Sequence, residues 1–217
     1  MIRAGRHVRV AGLLSGLGWF AAGAAAGDRS QTPEVRVWVV NNARVDENTL
    51  SIALDRTGEI FRGAGLRLTF LRCDRRAGAP ACRFDETGLL IVRIASRAPA
   101  RFGDLKALGF AIVTKENSTY ATIFWDRVLA VTARRDSCPD AVLLGHAVAH
   151  ELGHLLLGDP AHAPYGLMSG HWRGVDLDRA SAGILGFSTP EAARIRAEAI
   201  RRLGSADLAG RSVRLRP

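Results

Sequence analysis

Residues 150–162 read H-E-L-G-H-L-L-L-G-D-P-A-H. On an α-helix, positions four apart share one face, one turn from each other. His150 and His154 can therefore aim two imidazole nitrogens at one metal ion. Glu151 stands beside that face, where its carboxylate can hold a water and accept its proton. Zinc takes nitrogen ligands in a tetrahedral site, and a catalytic zinc site keeps one position for water. From residue 141 to residue 157, Glu151 is the only charged side chain among leucines, valines and small residues. A helix apolar all round is a buried one. A lone carboxylate there is costly unless something compensates its charge, and a bound cation would do so.

Two helical histidines need a third ligand to make a catalytic site. Apart from His7, every histidine of the chain lies between His146 and His171. The chain has to leave the helix, turn and come back, and Gly158 followed by His162 meets that need. His171 and Asp159 are the alternatives by ligand type and reach. His146, one turn before His150, reads as a core or supporting residue, and Trp172 as a core anchor. Tyr165 reads as a rim residue within reach of a developing oxyanion.

The other elements must place that helix. Residues 34–40 (E-V-R-V-W-V-V) are β-branched and partly alternating, which predicts a first strand. A helix follows over 46–62, with apolar residues at Leu50, Ala53, Leu54, Ile60 and Phe61 and glycines at Gly63 and Gly65 to end it. Strands are predicted at 66–71, 89–95, 108–113 and 120–125. The strand–helix–strand start implies parallel pairing across a helical crossover. The turn cluster at 115–118 makes the last two strands an antiparallel hairpin. Ser137, with Asp140 three residues on, is the expected cap of the histidine-bearing helix. Beyond His162 the chain reads as irregular up to a last helix over 190–203, opened by Ser188, Thr189, Pro190 and Glu191. The expected fold class is α+β. It has a mixed five-stranded sheet with an antiparallel edge strand, a buried active-site helix and a C-terminal helix.

The chain has 217 residues and a formal net charge of +9. It opens with Arg3, Arg6 and Arg9, followed by an apolar, small-residue run ending Ala24-Ala25-Ala26. This is the pattern of a cleaved signal peptide over 1–26 and places the protein outside the cytoplasm, secreted or periplasmic. Residues 27–204 then form one domain, and 205–217 a loose basic tail. Removing 1–26 takes away three arginines and no acid, so the net charge falls to +6. Only a few residues separate the cleavage site from the first strand, too few for an inhibitory propeptide. No stripe of bases interleaved with aromatics is present, which argues against nucleic acid as a partner. No later run is long enough to span a membrane, and the expected state is a monomer. Export permits a disulfide. Cys73 and Cys82 flank a Gly/Pro/Arg loop and are the expected pair, leaving Cys138 over. No C-x-x-C pair is present, so a thiolate metal site is not expected.

The stretch 150–168 resembles the metzincin clan of zinc endopeptidases, whose pattern is H-E-x-x-H-x-x-G-x-x-H followed by a methionine turn. Here the glycine comes four residues after His154 rather than three, and His162 eight after rather than six. Pro160 stands where the family has its third ligand. Gly166-Leu167-Met168 is the candidate methionine turn. The resemblance implies a divergent zinc metallopeptidase with His150, His154 and His162 as ligands of Zn2+ and Glu151 as general base. It also implies a peptide or protein substrate lying along the edge strand near residues 109–113. The competing reading is a non-catalytic exported zinc-binding or interaction domain that has kept the metal site.

Overall fold

The computed structural model describes residues 32–73, 89–100, 107–114, 119–134 and 137–213, with side chains up to residue 205. The expected signal peptide, Cys82 with its loop, and the turn at 115–118 lie outside these residues. Within them the chain is a mixed α+β fold of five strands and five helices. The strands are β1 (Glu34–Asn41), β2 (Arg67–Cys73), β3 (Leu90–Ala95), β4 (Gly109–Ile112) and β5 (Tyr120–Phe124). The helices are α1 (Glu47–Gly63), α2 (Trp125–Thr132), α3 (Asp140–Leu157), α4 (Gly174–Ser181) and α5 (Thr189–Val213).

The sheet order is β2-β1-β3-β5-β4. β1 pairs in parallel with β2 and β3, β3 in parallel with β5, and β4 antiparallel to β5 at the edge. A two-residue period puts alternate side chains on one face. Val35, Val37 and Val39 of β1 share that face with Leu90, Val92 and Ile94 of β3, all at most 2% exposed. Against it pack Leu50, Leu54 and Phe61 of α1 and the apolar length of α3. The α1 and α3 backbones meet closely: the Thr57 hydroxyl lies 2.9 Å from the carbonyl oxygens of both Ala53 and Gly145.

Asp46 caps α1 by accepting the Thr49 N–H at 3.0 Å, which satisfies one of the helix's free first-turn donors. The cap expected on α3 is different. Ser137 does not cap it; its hydroxyl donates to Asp178 at 3.0 Å, and the N-cap is Pro139. Asp140 instead enters the first turn, where its negative charge complements the helix dipole, and it accepts from the Thr132 hydroxyl. Trp125, predicted to end β5, begins α2. Part of the stretch predicted as irregular forms α4. The last helix continues past Leu203 to Val213, where a loose tail was expected. Residues 206–209 (A-D-L-A) carry good helix formers, and extending an existing helix is far easier than nucleating one. Cys73 is disulfide-bonded, and Cys138 is a buried free thiol. No helix among the described residues is long and apolar enough to cross a membrane.

Candidate metal centre

Every residue of α3 from Ala141 to Leu156 is buried. His150 is 9% exposed, Glu151 7% and His154 5%. The helix stops at Gly158, whose φ of 63° is left-handed and whose N–H donates to the His154 carbonyl at 3.0 Å. Glycine takes that conformation without the Cβ penalty other residues meet. From there the chain doubles back and brings His162, itself exposed, over the two helical histidines.

The three rings converge through their Nε2 atoms. The His154 Nε2 lies 3.1 Å from that of His150 and 3.3 Å from that of His162. The other ring nitrogens of His150 and His154 are already committed. The His150 Nδ1 lies 2.7 Å from the Leu167 carbonyl oxygen, and the His154 Nδ1 2.8 Å from that of Asp159. A carbonyl only accepts, so each Nδ1 carries the proton and each Nε2 offers a bare lone pair. Burial pushes the His150 pKa down to about 4 and lowers that of His154, keeping both rings neutral at pH 7. Two bare lone pairs 3.1 Å apart repel with no proton between them to share. A cation among the three nitrogens removes that repulsion. Tetrahedral zinc with Zn–N of about 2.1 Å separates its nitrogens by about 3.4 Å, close to the spacing found.

A turn of the chain supports the rings from below. Leu167, whose carbonyl holds His150, also accepts the Trp172 indole N–H at 3.1 Å. Its N–H donates to Gly186 at 3.2 Å. Met168, 1% exposed, lies against Gly153, the residue before His154. A Cβ on that glycine would meet the Met168 Sδ at 2.6 Å. Trp172 sets its ring edge-on to His150, centroids 5.6 Å apart.

Glu151 faces the sheet edge. A Cβ placed on Gly109 of β4 would come within 3.0 Å of the Glu151 Oε1. Removal from water pushes the carboxyl pKa up to about 8. The Phe124 N–H donates to the Leu108 carbonyl. In an antiparallel pair such bonded positions alternate. Gly109 and Ala111 therefore direct their backbone N–H and C=O groups to the side away from β5.

The other candidates lie elsewhere. His171 is exposed and outside the cluster, and Tyr165 is 72% exposed. Asp159 contributes its main-chain oxygen to His154, while its carboxylate accepts the Ala161 N–H at 2.9 Å. His146 is fully buried and holds its own helix through Val142, 2.8 Å away. What was not foreseen is the part of the main-chain oxygens of Leu167 and Asp159, which accept from the His150 and His154 rings. A backbone oxygen leaves no mark in the residue types, so no sequence signal could have found either.

No family model and no curated protein matches this sequence. Among solved structures the fold is similar to the crystal structure of a zinc-dependent peptidase from Methanocorpusculum labreanum (strain Z). The TM-score is 0.44 and the identity 12%, covering 75% of this chain and 99% of that one.

Proposed function

We propose that this protein is an exported zinc-dependent peptidase, with His150, His154 and His162 as metal ligands and Glu151 as general base. The observation that carries the reading is the meeting of three imidazole Nε2 atoms whose tautomers, for the helical pair, are fixed by carbonyl acceptors. Neutral imidazoles oriented in this way are the usual nitrogen ligands of zinc, and such hydrogen bonds to the far nitrogen raise ligand basicity. When bound, zinc lowers the pKa of a ligated water to about 7 and polarises a substrate carbonyl.

The chain's own residues supply the rest. Glu151 takes the proton of the attacking water and hands it to the leaving amine. A positive charge beside it favours the carboxylate form it needs for the first transfer. The outward N–H and C=O groups of Gly109 and Ala111 bind the main chain of an extended peptide by strand addition, with register but little side-chain selectivity. The apolar walls of α3 and Met168 keep bulk water from the His150 and His154 rings. The His-turn-Met arrangement supports membership of a divergent metzincin-like group, and the basic, apolar, small-residue start of the chain supports export.

The test is hydrolysis of casein by the purified protein in three forms: as isolated, after chelation, and after addition of one equivalent of zinc. Cleavage should vanish on chelation and return with zinc. Stoichiometric zinc binding without cleavage of casein or of a broad peptide library would favour the binding-domain reading.

A further inference from the structure

Helix α5 reaches the metal centre from behind. The Arg194 Nη2 donates to the Leu157 carbonyl at 3.1 Å, one of the last carbonyls of α3 with no partner inside the helix. The same guanidinium nitrogen lies 3.6 Å from the Asp159 carboxylate. Asp159 is the hinge of the returning loop: its carboxylate caps the Ala161 N–H, and its main-chain oxygen orients His154. The stretch from His154 to His162 is two residues longer than the spacing it resembles, and a longer loop has more freedom to lose. One arginine thus ties the end of the ligand helix to the residue that both orients the second histidine and starts the path to the third. It also holds the Asp159 carboxylate in a turn, away from the three nitrogens.

We infer that Arg194 is a positioning residue for the metal centre: it fixes the 158–162 loop and so sets metal affinity, through Asp159 and not by contact with the metal. The inference rests on the zinc reading given above. Both side chains of the ion pair are partly exposed, at 56% and 41%, so screening keeps the effect modest. Supporting hydrogen bonds around metal ligands are worth about 10–100-fold in affinity when removed directly. An indirect, solvent-exposed one should give about three- to tenfold.

The experiment compares wild type, Arg194→Met, Arg194→Lys and Arg196→Met. Arg196 lies on the same helix but donates to Ala64, at 2.8 Å, away from the ligand loop. Zinc dissociation constants come from competition with a chromophoric chelator, well below the unfolding temperature. Exchange of the Ala161 amide is followed in the metal-free protein. Arg194→Met should bind zinc about three- to tenfold more weakly and exchange Ala161 faster. Arg194→Lys should recover part of both, and Arg196→Met should match wild type. Equal affinity in wild type and Arg194→Met overturns the inference, as does equal weakening by Arg194→Met and Arg196→Met. A wild type that binds no zinc overturns the metal reading itself. The exchange rate then still decides whether Arg194 fixes the loop, and an unchanged rate refutes that too.

Discussion

Gly109 and Glu151 pass so close that one added methyl would come within 3.0 Å of the carboxylate Oε1 and 2.4 Å of the Thr122 carbonyl oxygen. The side chain of Glu151 can swing; the backbone of β5 cannot. We predict that Gly109→Ala pushes β4 away from β5 and turns Glu151 out of line, since overpacking a tight site costs about 1–3 kcal/mol. Hydrolysis should fall by more than tenfold while zinc content stays at one per chain. Metal analysis beside a casein assay separates the two effects, and loss of zinc together with activity would refute this account.

The three histidines are not equivalent. His150 and His154 are anchored by α3 and by carbonyl acceptors, whereas His162 is exposed on a loop. His162→Ala should leave a folded protein with strongly reduced zinc occupancy. His171→Ala should keep full occupancy, and so, at saturating zinc, should Asp159→Ala, which leaves the main-chain oxygen in place. Full zinc in His162→Ala would remove His162 from the ligand set.

Glu151→Gln keeps size and shape but cannot take a proton. Hydrolysis by the zinc-loaded variant should fall by at least the ~10²–10⁴-fold typical of a lost acid–base group, with zinc retained. The metal-free proteins offer a second check. Burial raises the folded pKa of Glu151 from 4.5 to about 8. The unfolded chain therefore releases this proton first, and folding loses stability as pH rises from about 4.5 towards 8. Glu151→Gln lacks that loss, so its advantage over wild type should be small at pH 4 and grow up to pH 8. Urea denaturation of both proteins without metal measures it; an advantage independent of pH would mean the carboxylate is not the cause.

Much of this was legible in the residues, and the exceptions have physical reasons. The strands announce themselves through alternation or short apolar runs, and α1 through the helical spacing of Leu50, Ala53, Leu54, Ile60 and Phe61. Helices α2 and α4 escaped because each has eight residues and buries only two or three of them, too few to print a periodicity. The start of α3 was misplaced because Ser137 looks like a cap, while the chain spends its hydroxyl on Asp178. In the centre, His150, Glu151 and His154 follow from helical spacing. His162 follows from reach, since only a returning loop brings a third nitrogen near. What orients the rings is carried by the carbonyls of Leu167 and Asp159, and what steadies the loop comes from Arg194 on a later helix. Neither depends on local spacing.

The last prediction concerns the other arginine that α5 sends to α3. Arg202, 7% exposed, donates through Nη2 to the Leu155 carbonyl at 2.8 Å and through Nε to Glu198 at 2.8 Å. Glu198 also accepts two bonds from Arg201, at 2.6 and 2.7 Å. These bonds, Arg201's first and Arg202's next, hold the Glu198 carboxyl below its usual 4.5 against the opposing effect of burial. A depressed folded pKa gives stability that is fully present above the unfolded value and lost as pH falls through the folded one. Glu198→Gln removes the Glu198 charge from beside the buried guanidinium of Arg202. It should cost about 1.5–3 kcal/mol at pH 7, the range for hydrogen bonds involving a charged group. As pH falls from 4.5 through its lowered folded value, the wild type protonates Glu198 and loses the same interaction, so the two proteins should converge. Urea denaturation at pH 7 and at pH 3 makes the comparison, with the metal removed so that protonation of the histidines does not enter through zinc release. A gap that persists unchanged at pH 3 would assign the effect to packing and not to the charge of Glu198.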